Sequence, residues 1–149
     1  MRVTKWDKRF LQLAELVSTW SKDPSTKVGA VIVDDAQRII STGYNGPPRG
    51  VMDLPEYSRE EKLMRTIHAE ENAILFARQS LVGTTLYVTH PPCAHCTAKI
   101  IQVGIEKIVY LEPDEMFYSR WRNSHSVAQS MLSESNRRVY SVCLESLEH

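Results

Sequence analysis

Cysteine is scarce in this sequence of 149 residues, and the three present form an odd set. An odd set cannot be fully paired, and a metal or catalytic reading of these thiols outranks a disulfide framework. Long hydrophobic runs are missing too: none approaches the roughly 20 apolar residues that cross a bilayer. Met1 to Asp7 lacks the apolar stretch of a secretory signal, so residence in the cytoplasm is expected. Neither sign of charge prevails, with Lys plus Arg and Asp plus Glu both at 18. Proteins that grip nucleic-acid backbones usually carry a basic excess, so a small-molecule partner is favoured over nucleic acid or membrane. Internal repeats and low-complexity segments are also lacking. What remains is an ordinary globular composition, 42% hydrophobic, in a chain long enough for one core. One domain is expected over residues 1–146, with Leu147-Glu148-His149 resembling the start of a vector-encoded tag.

Trp6, Phe10, Leu13, Ala14 and Val17 recur at helical spacing behind Thr4, which predicts a capped helix ending near Trp20. Val28 to Val33 and Arg38 to Tyr44 read as a hairpin turned by Asp34-Asp35-Ala36-Gln37. Gly46 to about Met64 is rich in Gly, Pro and charge, too long for a casual connection, and is a candidate functional loop. Helices are then predicted over residues 68–79, 93–103 and 114–134, with Gly104 closing the second of these. Strands are predicted over 84–89, 107–111 and 137–145, the last placing Cys143 as a buried small hydrophobe. The order implies an α/β sandwich in which helical crossovers return the last three strands parallel, with helices on both sheet faces.

The strongest chemical signal is His68-Ala69-Glu70 at one helix start with Pro92-Cys93-Ala94-His95-Cys96 at the next. Together they form the H-x-E and P-C-x-x-C signature of zinc deaminases. Two thiolates and an imidazole suit Zn²⁺ and leave its fourth tetrahedral position open, the mark of a catalytic site. Zinc lowers the pKa of water from about 15.7 to about 7, which makes hydroxide available for attack on a ring carbon. Glu70 is then the proton shuttle. Helix N-termini favour thiolate over thiol at Cys93 and Cys96. A structural zinc knuckle using His68, Glu70, Cys93 and Cys96 is the alternative, although such sites are normally built without a carboxylate. His95 should point off the cysteines' shared face. His95 and His125 read as surface histidines, and His90 as either a pocket-rim or a plain loop residue.

These residues resemble the cytidine deaminase superfamily, and within it the deoxycytidylate deaminases common in large phages as well as cells. Ser21-Lys22-Asp23-Pro24-Ser25-Thr26-Lys27-Val28-Gly29-Ala30, Gly43-Tyr44-Asn45-Gly46 and His68-Ala69-Glu70-Glu71-Asn72-Ala73-Ile74 carry the resemblance beyond the zinc signature. It implies a three-layer α/β/α sandwich around a five-stranded mixed sheet. It also implies hydrolysis of dCMP to dUMP and ammonia, supplying the precursor of thymidylate.

By the same resemblance, Asn45 reaches the sugar hydroxyl, and Ser21, Asp23, Ser25 and Lys27 cradle sugar and phosphate. The plain alternatives are a turn asparagine and a solvated lysine. Among Phe117, Tyr118, Arg120, Trp121 and Arg122, the best candidates for base stacking and phosphate pairing are Tyr118 and Arg122. Many relatives are homohexamers activated by dCTP and inhibited by dTTP, with Mg²⁺ on the triphosphate. Gly43, Tyr44, Asn45, Gly46, Arg49 and Asp53 form the candidate effector site, against a glycine-rich turn that only shapes the active site. A single zinc is expected, since Cys143 alone cannot build a second centre. A tRNA adenosine deaminase and a catalytically silent nucleotide-binding scaffold are the competing readings, the latter disfavoured by the retained Glu70.

Overall fold

Thr4 starts the first helix, α1 (Lys5–Ser18), through a reciprocal cap: its hydroxyl accepts the Asp7 amide at 3.2 Å and the Asp7 carboxylate accepts the Thr4 amide at 2.8 Å. The chain then forms a β-branched hairpin, β1 (Gly29–Val33) and β2 (Ile39–Tyr44). Its Asp34 carboxylate accepts the amides of Ala36 and Arg38, both at 2.9 Å, as the Asp-rich turn predicts. A computed structural model describes residues 3–147 of the chain. Helices α2 (Arg59–Arg65) and α3 (Ala69–Phe76) follow, then β3 (Thr85–Val88), α4 (Ala94–Gln102), β4 (Lys107–Leu111), α5 (Glu115–Glu134), β5 (Arg138–Val142) and a short 3-10 helix, Leu144–Leu147. Gly104 takes φ +93° behind α4, the left-handed conformation its predicted capping role requires.

The five strands form one mixed sheet in the order β2-β1-β3-β4-β5. β1 runs antiparallel to both β2 and β3, whereas β3, β4 and β5 are parallel, as their helical crossovers imply. Alternation along the buried strands supplies two cores. Ala30, Ile32, Leu86, Val88 and Ile108 pack with Ala73 of α3, Ile100 of α4 and Leu132 of α5. Val31, Val33, Tyr87, Val109 and Val142 face the other way, against Phe10, Leu11, Ala14 and Val17 of α1. Helices therefore cover both faces, the expected α/β/α sandwich. The C-terminal end of β3 and the N-termini of α3 and α4 carry the metal signature.

Several expectations need correction. The expected 46–64 loop ends in a helix, α2, capped by the Ser58 hydroxyl on the Glu61 amide at 3.1 Å. α2 has no buried residue, so it has no apolar stripe for periodicity to detect. Cys143 is exposed rather than buried, because β5 ends at Val142 and the chain turns into the 3-10 helix; the Cys143 carbonyl accepts both the amide and the hydroxyl of Ser146. Leu147, grouped by sequence with tag-like residues, is 3% exposed in the α1 core, and its carbonyl accepts the Gln12 side-chain amide at 2.8 Å. Glu148 and His149 lie outside the described residues. α1 ends at Ser18 and α3 at Phe76, each short of its expected limit, and α5 breaks helical geometry at Trp121 (φ −116°, ψ 21°).

Candidate active site

His68 and Cys93 occupy equivalent positions, each the N-cap of its helix, α3 and α4. N-caps keep extended backbone angles while pointing their side chains across the helix end, so two converging helix starts bring distant ligands together. His68 Nδ1 lies 3.2 Å from Cys96 Sγ and 3.6 Å from Cys93 Sγ. Tetrahedral zinc with usual bond lengths separates such N and S donors by about 3.6 Å, so the set fits the ion. Among the described residues, His68, Cys93 and Cys96 are the only group of three such donors within 4.8 Å of one another. Cys96 is buried and His68 exposed, which leaves the centre open on the imidazole side. A centre held by three residues and open on one side has the form of a catalytic rather than a structural site.

The electrostatics prepare the ligands. The hydrogen bond from Cys96, opposed by burial and helped by His68, brings Cys93 down to about 4, so it is a thiolate at neutral pH. Cys96 is pushed up by donating to that thiolate and by burial. The hydrogen bond to Cys93 raises His68, with burial opposing. Glu70, two residues past His68 in the first turn of α3 and 4% exposed, is raised by burial to about 7, against opposing pulls from a backbone amide and His68. A carboxyl poised near neutrality both takes and returns protons.

The walls come from segments that the sequence separates widely. Gly46 and Ile67 form an isolated two-way bridge, with bonds of 3.1 and 2.8 Å, directly before His68. The Asn72 side-chain amide donates to the Tyr44 carbonyl at 2.8 Å, tying the same loop to α3. Asn45 is 7% exposed; its Oδ1 accepts the Val28 amide at 2.9 Å and its Nδ2 donates to the Thr26 carbonyl at 2.8 Å. The buried Ser21 hydroxyl donates to the Asn45 carbonyl at 2.9 Å. Asp23 gathers the Ser25 amide and hydroxyl and the Thr26 amide, and it is held below the usual carboxylate range by these bonds and by Arg59, although burial pushes up. Ser21, Asp23, Ser25 and Asn45 thus knot one loop, while Lys27 stands exposed beside it.

A small cleft of about 50 Å³ joins both candidate sets, lined by Lys22, Asp23, Gly46, Asp53, Lys62 and Arg65. Asp53 lies 4.0 Å from Lys62, and the Arg49 guanidinium stacks 4.9 Å over the Phe76 ring. Tyr44 meets Trp20 edge-on at 6.2 Å. On α5, the Tyr118 hydroxyl donates to Glu112 at 2.7 Å, and Arg122 is exposed. His125 is half-buried, its ring edge-on to Phe117 and Tyr118, rather than the solvated residue expected; His95 is exposed. The His90 Nδ1 meets the Thr89 hydroxyl at 3.0 Å. Sequence reasoning missed Ser124, whose hydroxyl accepts the Ala94 amide at 2.9 Å beside Cys93; no motif signals it.

A sequence profile for the cytidine and deoxycytidylate deaminase zinc-binding region matches residues 4–112, most of the chain. The chain belongs to this deaminase family. An uncharacterized deaminase from the luxG 3′ region of Aliivibrio fischeri is 53% identical over 138 residues, covering 92% of this chain and 93% of that protein. The deoxycytidylate deaminase of Mycobacterium phage D29 is 39% identical over 120 residues, covering 70% of this chain and 93% of the phage enzyme. Among solved structures, the dCMP deaminase of cyanophage S-TIM5 in complex with dCMP and dUMP superposes with a TM-score of 0.76 at 26% identity, covering 95% of this chain and all of that one. Membership of the deaminase family makes the chain a zinc-dependent enzyme, and the His68, Cys93 and Cys96 cluster is compatible with its zinc site.

Proposed function

We propose that the protein hydrolyses dCMP to dUMP and ammonia. The observation that carries this reading is the burial of Glu70 beside the His68, Cys93 and Cys96 cluster, within a chain resembling phage deoxycytidylate deaminases along most of its length. Zn²⁺ held there supplies a Lewis acid that lowers the pKa of water. Glu70 takes a proton from water and delivers it to the pyrimidine ring nitrogen N3, then takes the proton of the hydroxyl added at C4 and passes it to the amino group, which leaves as ammonia while the C4 oxygen becomes the uracil carbonyl. Its raised pKa suits both directions of transfer. The knot around Asp23 holds the loop in which Lys27 stands free to meet a phosphate.

Asn45 keeps one amide hydrogen and one carbonyl lone pair beyond its loop bonds, enough to meet a sugar hydroxyl. Tyr118 and Arg122 on α5 complete the proposed substrate contacts, with Ser21, Asp23 and Ser25 acting through the shape of their loop. The proposed effector region is Gly43 to Gly46 with Arg49 and Asp53. The small cleft joining Gly46 and Asp53 to Lys22, Lys62 and Arg65 supports it as a place where cations gather, with Lys62 beside Asp53 at 4.0 Å and Arg65 on Glu61 at 3.0 Å, pairs that a triphosphate with Mg²⁺ has to displace. Activation by dCTP, inhibition by dTTP, a homohexameric assembly, a single zinc and a cytoplasmic role in supplying thymidylate belong to the same reading.

The test follows the ultraviolet change from cytosine to uracil on adding dCMP to wild type and Glu70→Ala, with and without dCTP or dTTP plus Mg²⁺, alongside zinc analysis. Turnover that is lost in Glu70→Ala, rises with dCTP and falls with dTTP is the expected result. A zinc-loaded wild type that leaves dCMP, dCTP and deoxycytidine unchanged overturns the free-nucleotide reading.

A further inference from the structure

Besides their shared apolar core, the two helices that carry the metal ligands are joined by an ion pair outside the ligand set. Glu71 follows His68 by three residues, and Lys99 follows Cys96 by three, so each partner shares a helix face with a metal ligand. The Glu71 carboxylate is divided between two tasks. Oε1 accepts the backbone amide of His68 at 3.0 Å, and Oε2 accepts the Lys99 ammonium. The Glu71 side chain is 23% exposed, which shields the pair on the carboxylate side, whereas Lys99 reaches it from solvent.

We propose that the Glu71–Lys99 pair is a positioning device for the metal site, a tie from the His68 backbone across to α4 that holds the imidazole at ligand distance from Cys93 and Cys96. The proposal rests on the metal-centre reading above. Its physical basis is that the ligands come from separate helices, so opening the site means parting the starts of α3 and α4. The intramolecular bonds crossing that gap set how readily they part. Lys99 fixes one Glu71 oxygen on α4; the other oxygen then stays on the His68 amide, and the direction of the His68 side chain follows. Without Lys99, Glu71 is free to turn to water and the His68 cap loosens. The same group satisfies the first turn of α3 and places its negative charge at that helix's positive end.

The experiment compares zinc-loaded wild type with Lys99→Met, Lys99→Arg and Glu71→Ala. Zinc release to a chelator is timed, the absorption spectrum of the cobalt-substituted proteins is recorded, and the metal-free forms are melted. Lys99→Met is expected to release zinc about three- to fivefold faster, the range of a partly exposed ion pair. Its metal-free melting temperature should stay within a degree or two of wild type, and its cobalt bands should shift. Lys99→Arg should return both readouts to near wild type. Glu71→Ala, which also removes the His68 cap, should release zinc about tenfold faster or more. Release and cobalt spectrum in Lys99→Met identical to wild type overturn the proposal. So does faster release that Lys99→Arg fails to restore, or release that follows only a matching loss of metal-free stability. Failure of wild type itself to hold zinc would instead defeat the metal-centre reading.

Discussion

Gly43 on β2 lies so close to α3 that a Cβ there would stand 2.4 Å from the Ala69 carbonyl oxygen and 2.5 Å from the Ala73 amide nitrogen. Both contacts are backbone, so neither gives way without moving the helix that His68 caps and Glu70 rides. Gly43→Ala is therefore expected to cost about 2–3 kcal/mol of stability and to lower zinc occupancy. Gly46 has open space around its own Cβ position and no positive φ, so Gly46→Ala should stay within about 0.5 kcal/mol of wild type. Thermal melts with parallel zinc analysis check both, and equal melting temperatures for the two variants would refute the packing role of Gly43.

Asn45 closes the loop ahead of β1 like a short extra strand, one end accepting from Val28 and the other donating to Thr26. Asn45→Ala leaves the Val28 amide and the Thr26 carbonyl without their partner, a loss of about 1–3 kcal/mol. Asn45→Asp keeps the acceptor for Val28 but sets a carboxylate oxygen against the Thr26 carbonyl, so it should rescue little. Hydrogen exchange should rise across residues 21–28 in both variants, with KM for dCMP rising more than kcat falls. Unchanged exchange in that segment would show that the loop holds its shape without Asn45.

The metal signature and most strands were legible because their causes are local. β-branched runs mark β1, β3 and β4, and paired motifs at two helix starts mark the residues that cluster, His68, Cys93 and Cys96. What escaped depends on contacts across the chain. Asp7 meets Tyr87 and Lys107 at separations of 80 and 100 residues, and no window of sequence contains that triad. Glu71 reads as one more charge on a helix until Lys99 is placed opposite it. α2 buries nothing, so its helical nature rests on the Ser58 cap and on charge pairs such as Arg65 with Glu61 at 3.0 Å. Cys143 was misplaced because a β-branched, strand-like run does not reveal where an edge strand loses its cover.

The metal-free site sets the pH dependence of zinc uptake. Cys93 at about 4 is already a thiolate at pH 7, whereas Cys96 is raised and keeps its proton until metal displaces it. Zinc binding near pH 8 should therefore release at least one proton, from Cys96, with a further one from the water that the metal acidifies. Towards pH 6 the source of the protons should change, because His68 is also raised and enters partly protonated while the acidified water keeps its proton. Affinity then climbs about tenfold per pH unit for each proton released. Calorimetric titration in buffers of differing ionisation enthalpy measures that number directly, and a value near zero at pH 8 would contradict the thiol assignment at Cys96.

Asp7 is 1% exposed, yet it accepts the Tyr87 hydroxyl at 2.7 Å, Lys107 at 2.9 Å and the Thr4 amide at 2.8 Å. Burial pushes its carboxyl up, but these three bonds and the Lys107 charge outweigh it and leave Asp7 below the usual carboxylate range. A depressed folded-state pKa contributes stability that is complete above the unfolded value of about 3.9 and is lost as pH falls through the folded one. Asp7→Asn also strands Lys107, whose side chain is 15% exposed, so the variant should lose about 2–4 kcal/mol at pH 7. The gap between variant and wild type should be flat from pH 7 to about pH 5 and should narrow below about pH 4, as wild type alone surrenders the charge. Urea unfolding of the metal-free proteins across that range separates this from the zinc site, which loses its metal in acid. A gap that stayed constant down to pH 2 would mean that shape rather than charge is what Asp7 contributes to the junction of α1, β3 and β4.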